Sequence, residues 1–323
     1  MKVLITDSDY PDLSLEKTIL HDSGFELSVA QCHTPGEVIE AAQGAGALLV
    51  QYAPVTREVV EQLPELGIIS RYGVGVDTIN LEAAQSRGIW VSNVPDYGVE
   101  EVASHAAAMV LSLMRHLPFY DRNIREGEWH YLSPGSLHRL STLSLGVVGM
   151  GRIGSLLAAR MQPWFGRVLG YDPFLQQANW NGAVERVTLE QLFRQAHVIS
   201  LHLPLTAETS GMVNARLLGL MREGSYLVNT ARGGLINLSD LLTALDNGRL
   251  RGAALDVLPQ EPPAAADPIR HHPRVILSPH AAFYSVEAEQ ELRRKAVYNI
   301  VSWAGDGRPL YYVVEGKSRT SDN

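Results

Sequence analysis

The 323-residue chain reads as an α/β protein made of two doubly wound, parallel-sheet domains. Three observations predict this. Short β-rich runs alternate with helical stretches along the chain. The runs are continuously apolar, as in strands covered on both faces, and do not alternate as half-exposed strands do. They fall into two series around one long helical stretch, and the length exceeds what a single core usually holds.

The first series is VLIT (3–6), ALLV (47–50), GIISRYG (67–73) and IWVSN (89–93), with helical candidates at 14–23, 35–43, 56–63 and 81–87. The stretch VEEVASHAAAMVLSLMRHL (99–117) follows. Its Val102, Ala106, Met109, Val110, Leu113 and Leu117 recur at helical spacing, and Glu100 and Glu101 suit the positive end of a helix. The second series is LGVVG (145–149), RVLGYD (167–172), HVISLHL (197–203), YLVNTA (226–231), AALDV (253–257) and RVILSPH (274–280). A last helix, 285–303, carries Val286, Leu292, Ala296, Val297 and Ile300 and is expected to return to the first series. The first domain is then discontinuous, 1–98 with 286–323, around a second domain of 99–285. The polar run from Lys317 onward is expected to fray.

A net charge of −8 argues against nucleic acid or an anionic membrane as partner. Cys32 is the only cysteine, so neither an internal disulfide nor a thiolate metal cluster can form, and no metal is expected. The opening MKVLITDSDY is too polar for a signal peptide. The longest apolar span, AAAMVLSLM (106–114), lies between His105 and Arg115 and falls far short of the roughly 20 residues of a membrane helix. These features suit a cytoplasmic protein.

Chemistry enters with GVVGMGRIGSLLAAR. Gly149, Gly151 and Gly154 form G-x-G-x-x-G between a strand-like and a helical segment. The first glycine permits a tight turn, the second lets a pyrophosphate reach the backbone, and the third lets helix pack on strand. Asp172 ends the next strand, where an acid can bind ribose hydroxyls and would repel a 2′-phosphate. The pattern points to a dinucleotide, with NAD favoured. In such sheets ligands meet the carboxyl ends of the strands. Arg232 follows one such end, Asp256 another and His280 a third, and Glu261 follows in the loop DVLPQEPP. Together they match hydride transfer to a 2-oxo acid. A guanidinium offers a fork for a carboxylate, an imidazolium can protonate the alkoxide, and a neighbouring carboxylate orients the imidazole.

GMGRIG, NTARGG, AALDV, the EP of QEPP and SPHAA, in this order, resemble the D-isomer-specific 2-hydroxyacid dehydrogenases. RYGVGVDTIN, SNVPDYGVEEVA and PHAAFYS are most similar to the branch of C-terminal binding proteins and phosphoglycerate-dehydrogenase-like enzymes. The resemblance runs from about residue 45 to 310. It implies a flavodoxin-like substrate domain, an inserted Rossmann domain that binds NAD, and a homodimer. It implies that Arg232, Glu261 and His280 are catalytic, and that the amides of Val74 and Gly75 help hold the substrate carboxylate. It places cofactor contacts on Arg152, Ile153, Asp172, the HLPLT segment with Pro204 and Thr209, Thr230, Ala231 and Asp256. The chain departs from the pattern at Val74, where relatives often carry Ser or Thr, at Ser104 and at Phe283-Tyr284. The expected activity is NAD-dependent oxidation of a D-2-hydroxy acid or reduction of the 2-oxo acid. The alternative is a dehydrogenase-like protein that senses NAD(H) and acts by binding partners, as corepressors do.

Overall fold

The computed structural model describes residues 1–176, 180 and 182–317. The tail expected to fray falls mostly on 318–323, which lie outside the described residues. Lys317 itself is held, its amide on the Gly88 carbonyl and its carbonyl on the Trp90 indole. The chain forms two compact units, Met1–Gly98 with the stretch from Ser285 onward, and Val99–Tyr284. Each is an α/β unit on a parallel sheet, the class the apolar runs predict.

The first unit holds β1 (Lys2–Ile5), α1 (Ser14–Asp22), β2 (Glu26–Val29), α2 (Pro35–Ala41), β3 (Ala45–Val50), α3 (Arg57–Gln62), β4 (Ile68–Arg71), α4 (Leu81–Arg87) and β5 (Trp90–Ser92). Its sheet runs β2-β1-β3-β4-β5. Strands β1, β3, β4 and β5 carry the apolar runs and are almost wholly buried. The strand β2, with the sequence ELSV, gives no such signal because it lies at the sheet edge and stays exposed at both ends.

The second unit begins with α5 (Val99–Arg115) and α6 (Leu117–Arg125). The spacing predicts one helix over 99–117, but the chain breaks at His116, which sits in the left-handed region at φ 55°. Pro118 is the cause. It has no N–H to donate, and its ring would clash with the carbonyl four residues back, so α5 cannot run through it. After α6 come β6 (Ser144–Val148), α7 (Arg152–Met161), β7 (Arg167–Tyr171), β8 (Glu185–Arg186), α8 (Leu189–Gln195), β9 (Val198–Leu201), α9 (Ala215–Leu220), β10 (Ser225–Asn229), α10 (Leu238–Asp246), β11 (Leu250–Leu255) and β12 (Val275–Leu277). The sheet order is β12-β11-β10-β9-β6-β7-β8. The chain builds outward from β6 through β7, then crosses back to β9, so the switch point lies at the carboxyl end of β6.

The final helix, α11 (Val286–Asp306), belongs to the first unit and packs on α1 and β4. Ser285 caps it by accepting the Ala288 amide at 2.9 Å. Arg293 of α11 meets Glu16 of α1 in a two-pronged pair, both contacts 2.7 Å, with Glu16 fully buried. Tyr10 lies under the guanidinium at 4.6 Å. This pair ties the last helix to the first across the chain.

Candidate active site

The glycine loop sits at the switch point of the second unit. Gly154, in the first turn of α7, lies so close to the loop that a Cβ there would stand 1.9 Å from the Gly149 carbonyl oxygen. Only a residue without a side chain lets the helix start against its own loop. Gly151 faces open space. Asp172, just past β7, accepts the Met150 amide at 2.8 Å with one oxygen and the Phe174 and Leu175 amides with the other. The carboxylate is thus fixed beside the loop. Arg152 is exposed at the start of α7, and Ile153 is half-buried against the core.

Two further segments border this end of the sheet. After β9, the Thr209 hydroxyl donates to the Pro204 carbonyl at 2.7 Å and accepts the Thr206 amide at 2.8 Å, so Thr209 shapes the HLPLT loop. After β10, the Thr230 hydroxyl is buried and has no hydrogen-bond partner among the described residues. An unsatisfied buried hydroxyl costs about 1–3 kcal/mol, which a ligand atom could recover. With the open Gly151 face, the start of a ten-residue helix and the Asp172 carboxylate, this donor set fits a dinucleotide.

Arg232 follows Thr230 and Ala231 on a turn that Asn229 organises. The fully buried Asn229 amide group accepts the Ala231 N–H at 3.0 Å and donates to the Arg232 carbonyl at 2.8 Å. Arg232 is half-buried, and its guanidinium also donates to the Ala231 carbonyl. Gly233 explains the first glycine of ARGG. A Cβ there would lie 2.0 Å from the Leu258 carbonyl carbon and 2.4 Å from the Pro259 nitrogen. The loop that carries Glu261 therefore rests on the Gly233 backbone.

Glu261 closes that loop on itself by accepting the Leu258 amide at 2.8 Å with one oxygen, and its other oxygen lies 2.6 Å from His280 Nδ1. Burial pushes the Glu261 carboxyl up. Hydrogen bonds from His280 and the Leu258 amide, with the charges of His280 and Arg232, outweigh that and hold it below its ordinary value. His280 has φ 53°, left-handed for a non-glycine residue. Such a conformation costs about 1–3 kcal/mol and persists only where neighbours enforce it. Asp256 enforces it. Its carbonyl accepts the His280 amide at 2.8 Å, while its buried carboxylate accepts the Ala281 and Ala282 amides at 2.9 Å and the Ser278 hydroxyl. His105 of α5 completes the support, with Nε2 3.0 Å from Ser278 Oγ.

The structure thus brings Arg232, Glu261, His280 and Asp256 to adjacent strand ends, as their order in sequence leads one to expect. It gives Asp256 a holding role for the His280 turn, beside any contact with a cofactor. Ser278 and His105 escaped the sequence reading. Ser278 carries a signal in SPHAA, two residues before His280, whereas His105 is invisible until α5 is packed. In the first unit, Val74 and Gly75 follow β4. The Asn93 amide holds this loop through the Val74 carbonyl at 2.7 Å, and the Val74 side chain is exposed.

Comparison with known proteins agrees with this geometry. The family described as D-isomer specific 2-hydroxyacid dehydrogenase, NAD binding domain, matches residues 107–282. The D-3-phosphoglycerate dehydrogenase of Bacillus subtilis is 37% identical over 280 residues, covering 85% of this chain and 52% of that protein. The chain spans about half the length of that relative. The glycerate dehydrogenase of Methylorubrum extorquens is 33% identical over 283 residues, covering 85% of this chain and 88% of that one. Among solved structures, the D-lactate dehydrogenase of Aquifex aeolicus complexed with NAD and lactic acid superposes with a TM-score of 0.88. It is 28% identical and covers 98% of this chain and 100% of that one.

Proposed function

The chain belongs to the D-isomer specific 2-hydroxyacid dehydrogenases, and we propose that it interconverts a 2-oxo acid and its D-2-hydroxy acid with NAD(H). The observation that carries this reading is the 2.6 Å contact between His280 and Glu261, on strand ends next to Arg232.

When bound, the nicotinamide supplies a hydride to the carbonyl carbon in reduction and takes it back in oxidation. Arg232 presents its fork to the substrate carboxylate and draws electron density from the adjacent carbonyl. Hydride addition leaves an alkoxide on the former carbonyl oxygen. His280 uses Nδ1 on Glu261, so Nε2 is the atom that gives this alkoxide its proton. In oxidation the same nitrogen takes the alcohol proton. One hydride and one proton are added or removed in each turnover. Glu261 fixes the tautomer and balances the imidazolium charge.

We assign the cofactor to the loop of Gly149, Gly151, Arg152, Ile153 and Gly154, to Asp172 at the ribose, and to Pro204, Thr209, Thr230, Ala231 and Asp256. Val74 and Gly75 are proposed as substrate contacts on the strength of the family resemblance. We further read the chain as a cytoplasmic homodimer. Leu117, Trp129, Tyr131 and Leu132 are each at least half exposed, an apolar group that association would cover. The buried free thiol of Cys32 suits a reducing compartment.

A screen of 2-oxo acids, followed by NADH consumption, tests the proposal. Turnover of at least one acid is expected. Tight NADH binding with no turnover of any acid would contradict it and favour the NAD(H)-sensing alternative.

A further inference from the structure

Asp256 is buried, and both oxygens of its carboxylate accept backbone N–H groups, Oδ1 from Ala281 and Oδ2 from Ala282, each at 2.9 Å. The carboxylate is therefore also the acceptor in its contact with Ser278, and the one hydroxyl proton goes to Asp256 Oδ1. Ser278 Oγ is left to accept at 3.0 Å from His105, so Nε2 of His105 carries the hydrogen. The path has one direction, from His105 Nε2–H to Ser278 Oγ and from Ser278 O–H to Asp256.

His105 is also the sole basic side chain in ion-pair reach of this carboxylate among the described residues, with Nε2 3.7 Å from Oδ1. A buried carboxylate must collect donors to offset its lost hydration. A donor on Ser278 Oγ polarises that hydroxyl and strengthens its bond to Asp256. Asp256 in turn holds the left-handed backbone of His280, through the His280 amide at 2.8 Å and the two amides that follow.

α5 presents His105 from a rigid base. Its Ala106, Met109, Val110 and Leu113 are buried in the core of the second unit. Leu113 stands beside Gly252 near the start of β11, where a Cβ would lie 3.2 Å from its side chain. His105, about two turns earlier, stands at Ser278 just past β12. The helix thus runs against the strands and brings its amino-terminal half to their carboxyl ends.

We propose, on the reading of His280 as the acid–base group, that His105 is a positioning residue for that proton transfer. It acts through Ser278 and Asp256 and not by contact with substrate or cofactor. Its donor keeps the Asp256 carboxylate fixed, and the carboxylate keeps the His280 turn in register with the substrate carbonyl.

Four variants of the full chain test this: His105→Leu, His105→Gln, Ser278→Ala and the double variant His105→Leu/Ser278→Ala. Glutamine places an amide N–H near the position of Nε2, whereas leucine keeps the bulk and loses the donor. His105→Leu should lower kcat for the best 2-oxo acid by about tenfold, the weight of one weakened hydrogen bond. KM should change little, because the fork of Arg232 is untouched. His105→Gln should restore most of the rate. In the Ser278→Ala background His105→Leu should cost nothing further, since its path runs through that hydroxyl. Amide hydrogen exchange across 278–284 supplies a readout independent of turnover. It should quicken by about tenfold in His105→Leu and return in His105→Gln. A merely structural histidine would lower the melting midpoint in both single variants at 105, with no rescue of rate by glutamine. Absence of that rescue, additive losses in the double variant, or unchanged exchange in His105→Leu would each overturn the role of His105. A wild type that reduces no 2-oxo acid, with exchange responding as expected, would instead strike the acid–base reading on which that role rests.

Discussion

His280 Nδ1 and Glu261 Oε2 stand 2.6 Å apart, and nothing else in the second unit joins the strand-end histidine to a loop carboxylate in this way among the described residues. The contact bridges 19 residues of chain and involves two side chains that are each about one-third exposed. It commits one ring nitrogen, and in the proposed mechanism the other is the one that meets the substrate.

The Glu261 carboxyl is held below its ordinary value of 4.5, so it stays ionised throughout the neutral range. A group whose pKa is depressed by folding contributes stability above its unfolded value and loses it as pH falls through the folded value. The pair should therefore persist at pH 5 and open only in stronger acid. In Glu261→Gln the imidazolium loses its counter-charge. The falling, alkaline limb of the 2-oxo acid reduction profile should then move to lower pH, each unit of movement corresponding to about 1.4 kcal/mol. Measurement of kcat/KM against pH decides this, and an unmoved limb would make Glu261 an ordinary loop residue.

Gly233→Ala should injure catalysis without touching a catalytic side chain. The new methyl would collide with the backbone of Leu258 and Pro259 and push the Glu261 loop away from His280. A displacement of about 1 Å can cost on the order of 10²-fold in rate. NADH affinity should change little. Equal losses in rate and cofactor affinity would show a general unfolding of this end of the sheet.

Asp172 should make NADH bind ahead of NADPH, because its carboxylate, fixed by three amides, would face a 2′-phosphate. Asp172→Ala should narrow the gap between the two in a fluorescence titration. Equal affinities for both nucleotides in the wild type would remove Asp172 from the ribose.

Removing Arg293 should destabilise the first unit. Glu16 is fully buried, and Arg293→Leu leaves its charge without the 2.7 Å partners. Breaking one side of a buried pair costs about 3–5 kcal/mol. The double variant Glu16→Leu/Arg293→Leu should recover much of that loss in a chemical denaturation series.

Much of this was legible in the sequence, for identifiable reasons. Strands β6, β9 and β10 are buried on both faces, so each leaves a continuous apolar run. The glycine motif is legible because close backbone approach forbids any side chain at Gly154. Arg232, Glu261 and His280 stand out as charged groups that follow such runs. Edge strand β2 left no run, and the α5–α6 break was hidden because apolar spacing continues through His116 to Leu117. His105, Ser278 and the Glu16–Arg293 pair act through packing between elements far apart in sequence, and spacing alone does not encode that. The left-handed backbone of His280 is set by Asp256, whose acceptor role appears only once the turn is folded around it.

The central claim is that His280 transfers the substrate proton. The most direct test is kcat/KM for the best 2-oxo acid, beside NADH affinity, in wild type and His280→Ala. Loss of a general acid should lower kcat/KM by about 10²–10⁴-fold and abolish the alkaline limb, with NADH affinity nearly intact. A His280→Ala variant that keeps near wild-type turnover would contradict the account.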